Sequence, residues 1–375
     1  MKRSPGVTVP PRGPVRSLVR DLPQAVPFVA PEEIERLRGE AFELRLGANE
    51  SAFGPSPKAL AAAHQELQRT AWYGDPRSHE LREVLATLTG WPQDNILVGS
   101  GIDDLLGLSV RCTIDPEDVA VASKGTYPTF AYHVTAYGGK LHTVPYNAQF
   151  KVDMDSLERA AFRYNARVVY IANPDNPTGT VHSAEAMTDL ALRLPSHCTL
   201  LLDEAYGDFV QSGELERQTL SENVIRFRTF SKGHALAGLR IGYVLASGRY
   251  IEAFEKVRLH FGVNRIAQSA AVASLEDAKH LRAVVDAVAI ERDLYSRMLR
   301  DLGWTPIPSS TNFISFDVGD ASVAADLVGL LAERGVFVRR AGGPPLEGYV
   351  RITVGSAKQR RRLKEVLEDA CFPGP

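Results

Sequence analysis

Lys232 stands in the run Thr229-Phe230-Ser231-Lys232-Gly233-His234-Ala235-Leu236-Ala237-Gly238-Leu239-Arg240. A lysine amine condenses with carbonyls to give Schiff bases once burial or nearby cations depress its pKa. The hydroxyls of Thr229 and Ser231 and the guanidinium of Arg240 suit a phosphate group. A solvated surface loop is the plain alternative. In Leu201-Leu202-Asp203-Glu204-Ala205-Tyr206, Asp203 sits where an apolar strand ends, and a carboxylate there needs a partner. A protonated ring nitrogen is one such partner, and Tyr206, three residues on, could donate to a second atom of the same ligand. An acidic strand end facing solvent is the competing reading.

Three further runs carry ligand-type residues. Gly99-Ser100-Gly101-Ile102-Asp103-Asp104 follows a strand and opens a helix, where free amides attract phosphate; it departs from GxGxxG at Asp104, so a simple strand-to-helix turn stays open. Ala172-Asn173-Pro174-Asp175-Asn176-Pro177-Thr178-Gly179 is a rigid loop at the C-terminal end of a strand, where open parallel sheets bind ligands. In Tyr349-Val350-Arg351-Ile352-Thr353-Val354-Gly355, Arg351 alternates with apolar neighbours and faces either solvent or a site; arginine grips a carboxylate or phosphate at two points.

The elements that must position these residues follow from hydrophobic pattern. Strands are expected at Asn95–Val98, Val119–Ala122, Lys140–Val144, Val168–Ala172, Thr199–Leu202, Val224–Arg228 and Ile241–Leu245, several apolar on consecutive residues as in a sheet buried on both faces. Helices are expected between them at Asp103–Cys112, Thr129–Tyr137, Met154–Tyr164 and Ala184–Leu194. That alternation gives an α/β sandwich around a mostly parallel, seven-stranded sheet. The last third reads as a smaller α+β domain: one long helix over about Gln268–Leu302, strands at Asn312–Phe316, Val336–Arg339 and Tyr349–Val354, and helices at Ala321–Arg334 and Ser356–Cys371. The expected division is 1–53 as an arm and part of the small domain, 54–262 as the large domain, and 263–375 as the small one.

With 375 residues, more than one core is expected. A net charge of -2 gives no field that favours nucleic acid or anionic membrane. Cys112, Cys198 and Cys371 lie far apart, which suits a reduced, cytoplasmic setting. The nine histidines lack metal-ligand spacing, so no metal is expected. No apolar run suggests a membrane span. The basic, Pro-rich stretch Met1–Arg20 reads as an arm or a partner-subunit contact.

Taken in order and spacing, these runs, with Asn49-Glu50, Phe53-Gly54-Pro55-Ser56-Pro57 and Trp72-Tyr73-Gly74-Asp75-Pro76, resemble the fold-type-one pyridoxal-phosphate aminotransferases, in their histidinol-phosphate aminotransferase-like branch, over roughly Leu44–Glu368. The resemblance implies pyridoxal 5′-phosphate held by Lys232 as a Schiff base, with Lys232, Asp203 and Tyr206 catalytic. It implies that Asp203 pairs with the ring nitrogen, that Tyr206 and Asn176 donate to the ring's 3′ oxygen, and that Tyr127 stacks on the ring. Gly101, Ile102, Asp103, Thr229, Ser231 and Arg240 would hold the phosphate, and Tyr73 would reach the neighbouring subunit's phosphate in a homodimer. Substrate contacts would come from Arg351, Asn49, Phe53, Arg339 and Arg265, with Arg340 a further anion candidate. The implied reaction moves an amino group from histidinol phosphate to 2-oxoglutarate. An aromatic amino acid aminotransferase is the closest rival and a phosphothreonine decarboxylase-like enzyme a further one. A nucleotide-binding dehydrogenase lacks its GxGxxG here, and a silent binding protein has no use for an intact Lys232, Asp203 and Arg351. The branch's usual Asn-Glu-Asn-Pro-Tyr-Gly reads Asn49-Glu50-Ser51-Ala52-Phe53-Gly54, His234 replaces an aromatic, and His260–Arg265 departs from the usual form.

Overall fold

The structure is a computed structural model and describes residues 15–20, 22, 29–210 and 221–369. Most of Met1–Arg20, and Cys371, lie outside the described residues.

Thirteen strands in chain order form three sheets among these residues: β1 (Leu44–Arg45), β2 (Ile96–Gly99), β3 (Val119–Ser123), β4 (Lys140–Val144), β5 (Val168–Ala172), β6 (Thr199–Asp203), β7 (Val224–Thr229), β8 (Gly242–Ala246), β9 (Thr305–Pro306), β10 (Phe313–Asp317), β11 (Val336–Phe337), β12 (Arg339–Arg340) and β13 (Tyr349–Thr353). The large sheet has seven strands in the order β2-β8-β7-β6-β5-β3-β4. Only β8 runs against its neighbours. β5, β6 and β8 are buried at every position, as their unbroken apolar runs require of strands covered on both faces.

Helices Ile102–Thr113 and Gly248–Val257 cover one face, where Leu106, Val110 and Phe254 meet Val168, Tyr170 and Ile225. Helices Met154–Arg163 and Ala184–Arg193 cover the other, through Leu157, Ala161, Met187 and Leu190. The second core lies under a four-stranded sheet, β12-β13-β10-β9, and contains Tyr295, Phe313, Phe316 and Leu363. β1 pairs in parallel with β11, matching Leu44 to Val336 and Arg45 to Phe337, so Leu44 and Leu46 join this second core.

The single helix expected over Gln268–Leu302 is two helices, Arg265–Leu275 and Ala278–Asp301. The break falls at Asp277, whose carboxylate accepts a 2.5 Å bond from Ser56 Oγ and whose φ of -105° and ψ of 52° are not helical. The first of these helices packs through Ala267, Ala270 and Ala271 with Ala59, Leu81 and Leu85 in a cluster on the large sheet, away from the second core. The final helix ends its described course at Asp369.

Candidate active site

One cavity of about 400 Å³ gathers residues from chain positions 47 to 351. It lies where β2, β5, β6 and β7 deliver their C-terminal ends, the usual ligand position in a parallel sheet. Of the residues expected to act, Lys232, Asp203, Tyr206, Ile102, Asp103, Tyr127, Asn176, Thr229, Ser231, Arg240, Asn49, Arg339 and Arg351 all line it.

Asp203 is the last residue of β6 and is 4% exposed. Its carboxylate accepts 2.8 Å from Tyr170 Oη and 3.0 Å from the Ala205 amide, both uncharged donors. Burial pushes its pKa up to about 7, the Tyr170 and Ala205 bonds opposing. Sequence reading missed Tyr170. The trace it left was a polar-tipped ring inside an apolar strand, whose hydroxyl must find a partner when buried.

Lys232 lies three residues past β7, partly buried. Its Nζ donates to the carbonyls of Ala48 at 3.3 Å and Asn49 at 3.0 Å and lies 5.7 Å from the Tyr206 ring centroid. Burial, and then the Arg351 and Arg240 charges, pull its pKa down to about 8. The amine is therefore far closer to its neutral, nucleophilic form at physiological pH than a solvated lysine.

Tyr206 Oη accepts from Asn49 Nδ2 at 2.9 Å and Asn176 Nδ2 at 3.4 Å, and burial pushes its pKa up to about 12. Arg351 donates 2.6 Å to Asn176 Oδ1 and 3.2 Å to the Gly47 carbonyl. Its neighbours Val350 and Ile352 point into the second core, so Arg351 faces the cavity rather than solvent. Its buried Nε has no hydrogen-bond partner among the described residues. Burial, then Arg339, lowers its affinity for the proton.

The opposite end of the cavity is rich in donors. The helix Ile102–Thr113 starts at Gly101, φ 93°, with no side chain capping its first amides. Arg240, itself at φ 53°, approaches so closely that a Cβ on Gly101 would lie 2.6 Å from its Nη2. Tyr127 Oη donates 2.9 Å to Asp103 Oδ1, and burial together with that carboxylate pushes the hydroxyl's pKa up.

Two supports behind the cavity escaped sequence reading. Asp175, 1% exposed, accepts from Thr178, Tyr146 Oη and Thr126 Oγ1, tying the Asn176 loop to the residue before Tyr127. Burial raises its pKa to about 6. Glu204 is gripped at two points by Arg226, both at 2.8 Å, while Arg228 holds Asp208 at 2.8 Å. These pairs fasten the Asp203–Tyr206 turn to β7.

Of the other expected residues, Gly101 caps the helix beside the cavity and Arg340, Arg265, Phe53 and Tyr73 do not line it. Arg265 does not reach the cavity: it pairs with Glu66 at 2.5 Å and donates to the carbonyls of Trp72 and Tyr73. Phe53 packs on the second core instead of lining the cavity. Tyr73 is 79% exposed, its ring 4.6 Å from Phe261, outside the cavity of its own chain. His234 is buried with Nδ1 2.8 Å from Ser274 Oγ, away from the cavity lining. Among the described residues no cluster of His, Cys, Asp or Glu could hold a metal ion, and no helix is long and apolar enough to cross a membrane.

The family model described as "Aminotransferase class I and II" matches residues 43–368. Histidinol-phosphate aminotransferase of Roseiflexus castenholzii is 34% identical over 368 residues, covering 96% of this chain and 98% of its own length. The enzyme of that name from Moorella thermoacetica is 32% identical over 97% of this chain and 95% of its own. A crystal structure of histidinol-phosphate aminotransferase from Sinorhizobium meliloti, in complex with pyridoxal-5′-phosphate, superposes with a TM-score of 0.91 at 40% identity, covering 96% of this chain and 100% of that one. A depressed lysine amine, a buried carboxylate and a cationic donor set in one cavity are what amino-group transfer requires, and this chain belongs to the class I and II aminotransferases.

Proposed function

We propose that this transaminase uses pyridoxal phosphate joined to Lys232 to move the amino group of histidinol phosphate to 2-oxoglutarate. The residues present fit the cofactor. The uncapped helix start at Ile102, with Thr229, Ser231 and Arg240 beside it, forms a donor set for a phosphate. Asp203, whose hydrogen-bond donors are both uncharged, is suited to a protonated ring nitrogen. Bound there, the cofactor supplies a carbonyl carbon for the lysine and a ring that withdraws electron density from the substrate's Cα.

The protein's own residues do the rest. Asp203 keeps the ring nitrogen's proton in place. Tyr206 and Asn176 would donate to the ring's 3′ oxygen, and Tyr127 would stack on the ring. The Lys232 amine would be the base that takes the proton from the substrate's Cα and the acid that hands it on. Arg351 and Arg339 bind the anionic end of the substrate. Those two arginines lining one cavity are the observation that carries the substrate assignment. Two guanidiniums suit a doubly charged phosphate ester better than a single carboxylate. The two relatives named histidinol-phosphate aminotransferase, matched over nearly the whole chain, support it.

We assign the chain to a homodimer, on the exposure of Trp72 and Tyr73 at 64% and 79% and of Leu259 and Phe261 at 77% and 53% in two segments joined by a ring contact. Its two cores suggest a large unit around the seven-stranded sheet and a small one around the four-stranded sheet, with 44–46 on the small one and Arg265–Leu275 on the large one. Two unpaired cysteines among the described residues suit the cytoplasm.

The test is a half-reaction screen. Holoenzyme is mixed with single amino donors while the visible absorbance of the bound cofactor is followed. Histidinol phosphate should bleach it fastest; faster bleaching by phenylalanine or tyrosine overturns the substrate assignment. Lys232→Ala should lose turnover, and wild-type turnover in that variant overturns the role of Lys232.

A further inference from the structure

The carbonyl oxygen of Asn49 accepts two hydrogen bonds, from Lys232 Nζ at 3.0 Å and from Asn312 Nδ2 at 3.0 Å. Asn49 is itself held on every side. Its amide donates 3.0 Å to Thr353 Oγ1, its side chain donates 2.9 Å to Tyr206, and its backbone sits at φ 54°, a left-handed conformation that asparagine tolerates. Asn312 is 1% exposed, immediately precedes β10 and does not line the cavity. Its Oδ1 has no partner among the described residues. Turning the amide over would set two oxygens against each other at Asn49. An interior amide satisfied on one side only leaves a desolvated acceptor uncompensated, a defect that leucine, with the same branching, would not carry. What asparagine adds at 312 is donation to one carbonyl, and that carbonyl is the one that receives the lysine amine.

We infer that Asn312 is a positioning residue for Lys232: by fixing the Asn49 carbonyl it sets where the amine rests whenever it is not bonded to the cofactor. This rests on the proposed role of Lys232. Without the Asn312 donor the Asn49 carbonyl loses one of its fixed partners, and an acceptor that favours the charged form of the amine is held less firmly in place.

The test uses Asn312→Leu, which drops donor and orphaned acceptor together and keeps the branching of the side chain. In the full chain freed of cofactor, uptake of pyridoxal phosphate, read as growth of visible absorbance against pH with Lys232→Ala as blank, should move its midpoint to lower pH. In the loaded enzyme kcat should fall about tenfold with KM within about twofold, since the interaction serves the proton-transfer step. The isotope effect from deuterium at the donor's Cα should rise. An unchanged uptake profile and isotope effect overturn the inference, leaving Asn312 a packing residue. Should the leucine variant fold poorly, Asn312→Ala is read by the same two measurements. Wild-type chain that takes up the cofactor without a Lys232-dependent band overturns the role of Lys232, and is thereby distinguished from a failure at Asn312.

Discussion

Asp203 and Lys232 are pushed in opposite directions by the same burial. The carboxyl climbs from 3.8 to about 7 and the amine drops from 10.5 to about 8, so both titrate near neutrality. For Asp203 the sign of the stability effect follows from a raised folded pKa. Below 3.8 the group is protonated folded or unfolded and imposes no penalty; between 3.8 and about 7 the unfolded chain ionises first, and stability is lost as pH rises. Cofactor-free protein should therefore lose up to about 1.4 kcal/mol per pH unit from this one group across that window. Asp203→Asn should flatten that part of the curve, as measured by urea denaturation at several pH values. An equally steep curve in the variant would reassign the dependence to Asp175, whose pKa is raised to about 6. Sequence spacing made Asp203, Lys232, Asn176 and Arg351 legible, because each sits at a strand end or alternates with apolar neighbours. It could not distinguish Arg351 from Arg265: one is aimed into the cavity and the other is taken by Glu66, 199 positions away in the chain.

At the scale of elements, the proposed phosphate end of the cavity depends on the approach of Arg240 to a residue without a side chain. Gly101→Ala puts a methyl 2.6 Å from Arg240 Nη2 at a backbone angle, φ 93°, that L residues avoid. The guanidinium must swing aside. Affinity for pyridoxal phosphate, titrated on cofactor-free protein, should fall about tenfold, equivalent to about 1.4 kcal/mol. The strained backbone should cost roughly 1–3 kcal/mol of stability. An unchanged affinity would remove Arg240 from the phosphate site. The strands of the large sheet were readable because their apolar runs are short, consecutive and bounded by turns. The division of the expected long helix at Asp277 was not, since both flanks keep helical periodicity and the hydroxyl that holds Asp277 belongs to Ser56, 221 positions earlier.

For the whole molecule, Trp72, Tyr73, Leu259 and Phe261 form the exposed apolar surface that a second copy would cover. Sedimentation equilibrium should give a single species of twice 41.0 kDa. Phe261→Asp should release monomer and, if Tyr73 serves the other subunit's site, lower activity in step with dissociation. A fully active monomer would detach Tyr73 from catalysis.

The parallel pairing of Leu44–Arg45 with Val336–Phe337, continued by the bond from the Thr353 amide to the Leu46 carbonyl, has a consequence in time. Residues 47–50 wall the cavity and cradle the lysine, but what holds them is made last. Asn49 and Thr353 are 304 positions apart. At roughly 5–20 residues per second, a ribosome needs on the order of 15–60 s to cover that stretch. Only after β8 ends at Ala246 can the emerging chain own a complete Lys232 loop and seven-stranded sheet, and from there until Thr353 is made one wall of the site hangs unattached. Cofactor capture is therefore expected of the finished chain and not of one that stops short of Thr353.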